Sequence, residues 1–310
     1  MRQIMYGQMS SHFIITESSS NLRRIGRVSL QGRWGKAVTA VLIYFAVTEL
    51  PMFLLDFIWG KPVTYGSLFQ DSTYNSAYPE LANRVVGYSS GVSTIYDLLL
   101  GGAFAYGLAV FMLSYFRRRS TDFGMIFEGF GFFLKTLGLY IYRAIFIFMW
   151  SLLFVIPGII AAIRYSQAFL ILADDPNKSI TQCMEESKAM MTGNKAKFFW
   201  MNLSFIGWVL LAAVPACIVS VPVFNMLDTG KGNSMLLVLV AASFVLELWV
   251  MAYILMTNMG FYEILSGRMS AQGNETGNFS SGSFTRSDGG GEYRSPASDK
   301  EDYTGKRGRY

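Results

Sequence analysis

Apolar runs of membrane-crossing length follow one another along most of this chain, parted by short polar breaks. They lie at about 37–59, 93–116, 137–157, 158–174, 198–223 and 235–259. A hydrocarbon core of about 30 Å needs roughly 20 helical residues, so these runs read as transmembrane helices. The fourth is the shortest, about 25 Å at 1.5 Å per residue. Pro157-Gly158 parts it from the third and reads as a tight turn or a hinge. One long helix through Pro157 is the competing reading. Pro51 falls within the first run, where membrane helices tolerate a kink.

The breaks carry their own patterns. Residues 1–36 form a polar, basic arm. Its run from Glu17 to Asn21 reads as a flexible start, and Gly26 to Gly35 as a short surface helix with Trp34 at headgroup level. Residues 60–92 read as a turn-rich outer loop. In the second run Gly101, Gly102, Ala103, Ala105 and Gly107 are small enough for a neighbouring helix to approach closely. Residues 122–136 read as an interfacial segment, because they hold Asp122, Glu128 and Lys135. A helical period puts Phe123, Phe127, Phe130 and Leu134 on one side of it. Residues 177–191 read as an amphipathic cytosolic helix. Ser179 and Gln182 fit a capping box, and Gly193 suits the positive-φ position that ends a helix. Its apolar stripe holds Ile180, Met184, Ser187 and Met191, with Cys183 and Met190 beside it. Residues 225–234 read as a turn.

Composition agrees with this pattern. Of 310 residues 52% are apolar and 15% charged, against about 25% charged in soluble domains. The fold class is therefore all-α, a polytopic transmembrane bundle of about six spans with one short cytosolic amphipathic helix. Three regions follow: a basic arm over 1–36, a membrane domain over 37–265, and a polar tail over 266–310 that reads as disordered. The basic residues decide the topology. Six spans put 21 of them inside and three outside (Lys61, Arg84, Lys231), with Arg143 and Arg164 within spans. Five spans give 11 inside and 14 outside. Lys195 and Lys197 directly precede a span, which favours six spans with both termini cytoplasmic. The expected location is a membrane whose cytoplasmic side holds both termini. Residues 1–35 lack the apolar core of a cleavable signal peptide, so the first span is expected to act as an uncleaved anchor.

Candidate chemistry is sparse. The cysteines, Cys183 and Cys217, fall in different environments, and His12 is the single histidine, so neither a disulfide framework nor a zinc site is expected. No catalytic constellation or cofactor motif is present, and no enzyme activity is expected. The basic residues form no patch suited to nucleic acid. Glu49, Arg143, Arg164 and Glu247 lie within predicted spans, where a charge costs roughly 2.5–3.5 kcal/mol on insertion scales. They serve either an ion or headgroup path or structural pairing, such as Glu49 with Arg143. Two functions remain. One is a non-enzymatic membrane protein acting through lipid or through a membrane or cytosolic protein partner. The alternative is a transporter or channel for small solutes or ions that uses the intramembrane charges.

The central stretch resembles a known family. WSLLFVIPGIIAAIRYSQAFLILADDP at 150–176, Ser187 to Lys195 and LSFIGW at 203–208 carry the likeness. GRWGKAV at 32–38 and the segment from Trp249 to Leu265 extend it. Together they resemble domain of unknown function 975, a bacterial membrane family. The resemblance implies a six-span protein of a bacterial cytoplasmic membrane and assigns no activity. Members commonly have a short glycine-rich connection after the LSFIGW segment and a proline before the late tyrosine. Here 209–248 is longer and Ala252 precedes Tyr253. A fainter likeness is to membrane regions attached to bacterial glycerophosphodiester phosphodiesterases, without their catalytic domain.

Overall fold

Small residues on one span decide which neighbours can touch it. The protein is seen in a computed structural model that describes residues 14–64, 76, 85–117, 119, 121–213 and 234–269. The helices are α1 (Ser19–Leu30), α2 (Trp34–Trp59), α3 (Gly91–Phe116), α4 (Phe133–Leu153), α5 (Val155–Arg164), α6 (Ala168–Asp174), α7 (Ile180–Met190), α8 (Lys195–Leu203) and α9 (Ser234–Leu265). A 3-10 helix, Phe123–Phe132, leads directly into α4. The chain is again helical over 206–213. Among the described residues six stretches are long and apolar enough to cross a membrane: Trp34–Trp59, Gly91–Phe116, Phe123–Leu153, Val155–Asp174, Lys195–Ala213 and Ala241–Leu265. The protein is an all-α bundle with candidate membrane spans. His12, most of the outer loop, Cys217, the end of the fifth run with the turn after it, and the tail beyond Met269 lie outside the described residues.

α3 is the centre of the bundle. From Gly101 to Phe116 most of its residues are buried. A Cβ on Gly107 would strike the carbonyl oxygen of Ile126, and one on Gly129 would strike that of Ala103. A Cβ on Gly102 would lie 2.7 Å from the carbonyl oxygen of Thr136. The glycines thus let α3, the 3-10 helix and α4 meet backbone to backbone, as small residues do between membrane helices.

The segment 122–136 is not one α-helix with a period of 3.6: Phe123–Phe132 is 3-10 and the α-helix begins at Phe133. The buried residues of the 3-10 part are Ile126 and Gly129, spaced by three as a 3-10 helix requires. Phe127 and Phe130 face outward, and Leu134 is exposed as well. The segment packs lengthwise on α3, with Phe123 stacked on Phe111 at 5.8 Å.

The hairpin reading of the third and fourth runs holds. Phe146 of α4 meets Tyr165, just beyond α5, at 5.9 Å, so the chain reverses and one long helix is excluded. The break falls at Phe154, whose extended backbone (φ −163°, ψ 154°) ends α4. It does not fall at Pro157-Gly158, the predicted turn. Pro157 sits in the first turn of α5, where a missing N–H leaves no helix bond unmade. Gly158 is instead the point of closest approach, since a Cβ there would strike Ser151.

Other spans pair antiparallel through aromatic residues. Phe198, Phe205 and Trp208 meet Phe261, Tyr253 and Trp249 in turn. Tyr96 of α3 donates to the Val47 carbonyl of α2 at 2.5 Å. At the far end of α2, Asp56 accepts from the Ser90 N–H at 2.7 Å and the Ser93 hydroxyl at 2.6 Å, fixing the start of α3.

Two predicted loops contain structure. Lys61–Thr64 and Val85–Ser89 pair as antiparallel strands β1 and β2, with Lys61 opposite Ser89. The polar start at 17–21 is not flexible throughout: the Ser18 hydroxyl accepts from the Asn21 N–H at 3.2 Å and caps α1. The surface helix begins at Ser19 rather than Gly26. Its buried face is Leu22, Gly26, Ser29 and Leu30, and Gly26 lies against Thr257 of α9.

The glycine contacts make a direct prediction. Gly107→Ala and Gly129→Ala should each lower the thermal midpoint in detergent, with a loss of about 1–3 kcal/mol from overpacking. Gly131→Ala, whose Cβ would meet nothing within 4 Å, should leave the midpoint unchanged. Equal midpoints in all three variants would separate these contacts from the stability of the bundle.

Candidate functional site

Antiparallel packing brings the ends of α3, α6 and α9 together with the starts of α2, α8 and the 3-10 helix. The cations of α1, Lys36, Arg117, Lys135, Lys178, Lys195, Lys197 and Arg268 all belong to this basic end. Lys61, the first residue of β1, is the single described cation at the opposite end. Arg117, the first residue after α3, is its hub. Its Nη1 contacts Asp174 Oδ1 at 2.8 Å and its Nη2 contacts Glu263 Oε1 at 2.6 Å. Nε also donates to Glu263 Oε1 at 2.8 Å. Asp174 Oδ2 accepts from Tyr262 at 3.1 Å and pairs with Arg268 at 2.5 Å. The side chains of Arg117, Asp174 and Glu263 are 14%, 11% and 8% exposed, so water screens the group only weakly. Burial opposes the charge on Arg117. Hydrogen bonds and charge from Asp174 and Glu263 outweigh it and hold the guanidinium above its ordinary value.

Beside this hub is an open cleft of about 510 Å³ between the start of α2 and the turn after α3. Arg33, Lys36 and Arg119 line it with Tyr115, Thr121 and Gly32. Arg33 lies over the Tyr115 ring at 4.3 Å and donates to the Ser29 and Tyr115 carbonyls at 2.9 and 3.2 Å. Lys36 donates to the Thr121 carbonyl at 2.5 Å. Gly32 takes φ +74°, the left-handed turn that carries the chain from α1 into α2.

α7 follows the sequence expectation closely. Ser179 accepts from the Gln182 N–H at 3.3 Å, and Gln182 Oε1 accepts from the Ser179 N–H at 2.8 Å. Gly193 has φ +80°. Cys183, Met184 and Ser187 are buried. The helix folds back on its own bundle. The Ser187 hydroxyl accepts from the Gln167 N–H at 3.2 Å and donates to the Arg164 carbonyl at 2.9 Å, closing the break between α5 and α6. Burial pushes the Cys183 thiol up to about 11, which keeps it neutral and unreactive.

The four predicted intramembrane charges separate. Glu49 is exposed on α2 and Arg143 half-buried on α4. Both lie by a polar patch in which Tyr140 donates to Asp97 Oδ2 at 2.8 Å and Tyr44 is within electrostatic reach of Glu49 and Asp97. The expected Glu49–Arg143 ion pair is not among the four ion pairs of the described residues. Arg164 ends α5 and Glu247 is exposed on α9. Sequence reading missed Asp97, which sits inside the second run, and it missed the partners of Arg117. Asp174 and Glu263 each fall at the end of a span, level with the arginine run that ends another, and that coincidence was the available signal. Among the described residues no group of three His, Cys, Asp or Glu side chains is placed to hold a metal ion.

Removing one member of a buried charge cluster leaves the others uncompensated, at about 3–5 kcal/mol. Arg117→Met should therefore lower the thermal midpoint markedly, and adding Glu263→Gln should recover part of the loss. Strict additivity of the two substitutions would show that the pair is uncoupled.

No curated protein and no solved structure shows significant similarity to the chain. A family model described as protein of unknown function (DUF975) matches residues 9–163 and 152–269. The two matches overlap at 152–163, across the tip of the α4–α5 hairpin. Between them they span the whole described bundle, and the chain belongs to the DUF975 family.

Proposed function

We propose that this is a non-enzymatic protein of the bacterial cytoplasmic membrane, with both termini inside the cell, that acts through the anionic lipids bordering its basic end. The segregation of cations supports this reading: one end of the bundle carries them, and Lys61 alone among the described residues lies at the other. Cytoplasmic loops carry such an excess, and an anionic leaflet attracts it. Docking of a cytosolic protein on α7 has less support, because its apolar face is already spent on α6 and on the α5–α6 break. The protein extracted in native membrane patches should be enriched in anionic phospholipid relative to bulk membrane. In a Cys-free background, Asn177→Cys should react with an impermeant thiol reagent only after lysis. Bulk lipid composition around the protein, or labelling of Asn177→Cys in intact cells, would overturn the reading.

The polar patch of Tyr44, Glu49, Asp97, Tyr140 and Arg143 favours a second reading, a transporter or channel. If it holds, liposomes containing the protein should pass a monovalent cation, and Asp97→Asn should reduce that flux at least severalfold. Flux unaffected by Asp97→Asn would exclude this patch from any pathway.

A further inference from the structure

We propose that the cleft at the start of α2 is a specific site for the phosphate of an anionic phospholipid, an inference that rests on the lipid reading above. Three independent features converge on one space. The first is charge: Arg33, Lys36 and Arg119 approach it from two separate elements. Asp122, the nearest carboxylate in sequence, caps the 3-10 helix instead, accepting from the Gly124 N–H at 3.0 Å. The second is the helix end. α2 runs for 26 residues, with no side-chain cap and no acidic residue in its first turn. The N–H groups of its first turn have no partner within the helix, and they point where an anion is favoured. The third is room. Gly32 and Gly35 line the cleft, and a Cβ on either would meet nothing within 4 Å.

The donors remain capable of binding. Lys36 uses one of its three N–H groups on Thr121. Arg33 spends Nη2 on the Ser29 and Tyr115 carbonyls, which leaves Nη1 for a ligand. A lipid fits the site better than a free anion because of what surrounds it. Lys36 lies over the Phe123 ring at 5.9 Å, so the polar cleft passes straight into apolar surface. Exposed apolar residues follow on α2, which lines the cleft, and on the 3-10 helix that begins just after it: Leu42 on the first and Phe127 on the second. Trp34, at the cleft edge, stacks on Trp249 at 4.7 Å and holds the start of α2 in place.

The test uses the full chain, stripped of lipid in neutral detergent and titrated with phosphatidylglycerol or with inorganic phosphate. Bound lipid is counted by native mass spectrometry. Lys36→Gln/Arg119→Gln should bind phosphatidylglycerol roughly tenfold more weakly than wild type. Lys188→Gln/Lys197→Gln removes the same charge away from the cleft and should bind as wild type does. Both pairs should melt as wild type does; Arg119→Gln alone, at an exposed position, makes the same comparison if the first pair unfolds. Equal weakening by the two pairs would overturn the site in favour of diffuse attraction, while leaving the lipid reading intact. No phosphatidylglycerol retained by wild type would overturn both. Inorganic phosphate that raises the melting temperature of wild type but not of the cleft pair would assign the cleft to a free anion.

Discussion

The backbone-to-backbone approach of α3 to the 3-10 helix and α4 sets the position of almost everything else. Lipid supplies no hydrophobic drive for one helix to seek another, so close packing must do that work. Gly102, Gly107 and Gly129 permit it by presenting bare backbone. The cost is a ten-residue 3-10 helix, longer than this geometry usually runs. The return is that α3 is surrounded along the half nearer its C-terminus and can carry Arg117 into the middle of the basic end.

Backbone breaks within such a bundle must also find partners, since no water is available at depth to replace them. The α5–α6 break meets this demand through a side chain from outside its own span, the Ser187 hydroxyl. The amphipathic helix α7 is therefore part of the bundle's internal hydrogen bonding, docked on its own bundle through its buried face. The junction of α2 and α3 solves a similar problem with Asp56, which accepts from both Ser90 and Ser93.

Much of this was legible in the sequence because it depends on local rules. Span positions follow apolar run length, and the cap of α7 follows from Ser179, Gln182 and Gly193. The small residues of α3 identify a contact face. The rest depends on distant partners. Phe127, Phe130 and Leu134 do share an exposed side, as their spacing suggests, but the 3-10 character of 123–132, with Ile126 and Gly129 buried on α3, follows from packing that the sequence does not announce. The hairpin breaks at Phe154 rather than at Pro157, because proline is well placed in the first turn of a helix. The cleft joins residues more than 80 apart in sequence through contacts such as Lys36 to Thr121. Neither segment carries a motif that announces the other. Glu49 and Arg143 were conspicuous as charges in apolar runs, yet the hydrogen-bonded partner in that patch is Asp97 with Tyr140.

The Arg117 cluster also imposes an order of assembly. Arg117 leaves the ribosome long before its partners, with Asp174 following 57 residues later and Glu263 146 residues later. Until those residues exist the guanidinium has none of its carboxylate partners, and water is the environment that its charge favours. α9 supplies Glu263 and Tyr262, so the charge cluster is not complete until that helix is in place. α9 thus acts as the closing member of the bundle, and a nascent chain cut before it would hold α3 and α6 with their ends incompletely joined.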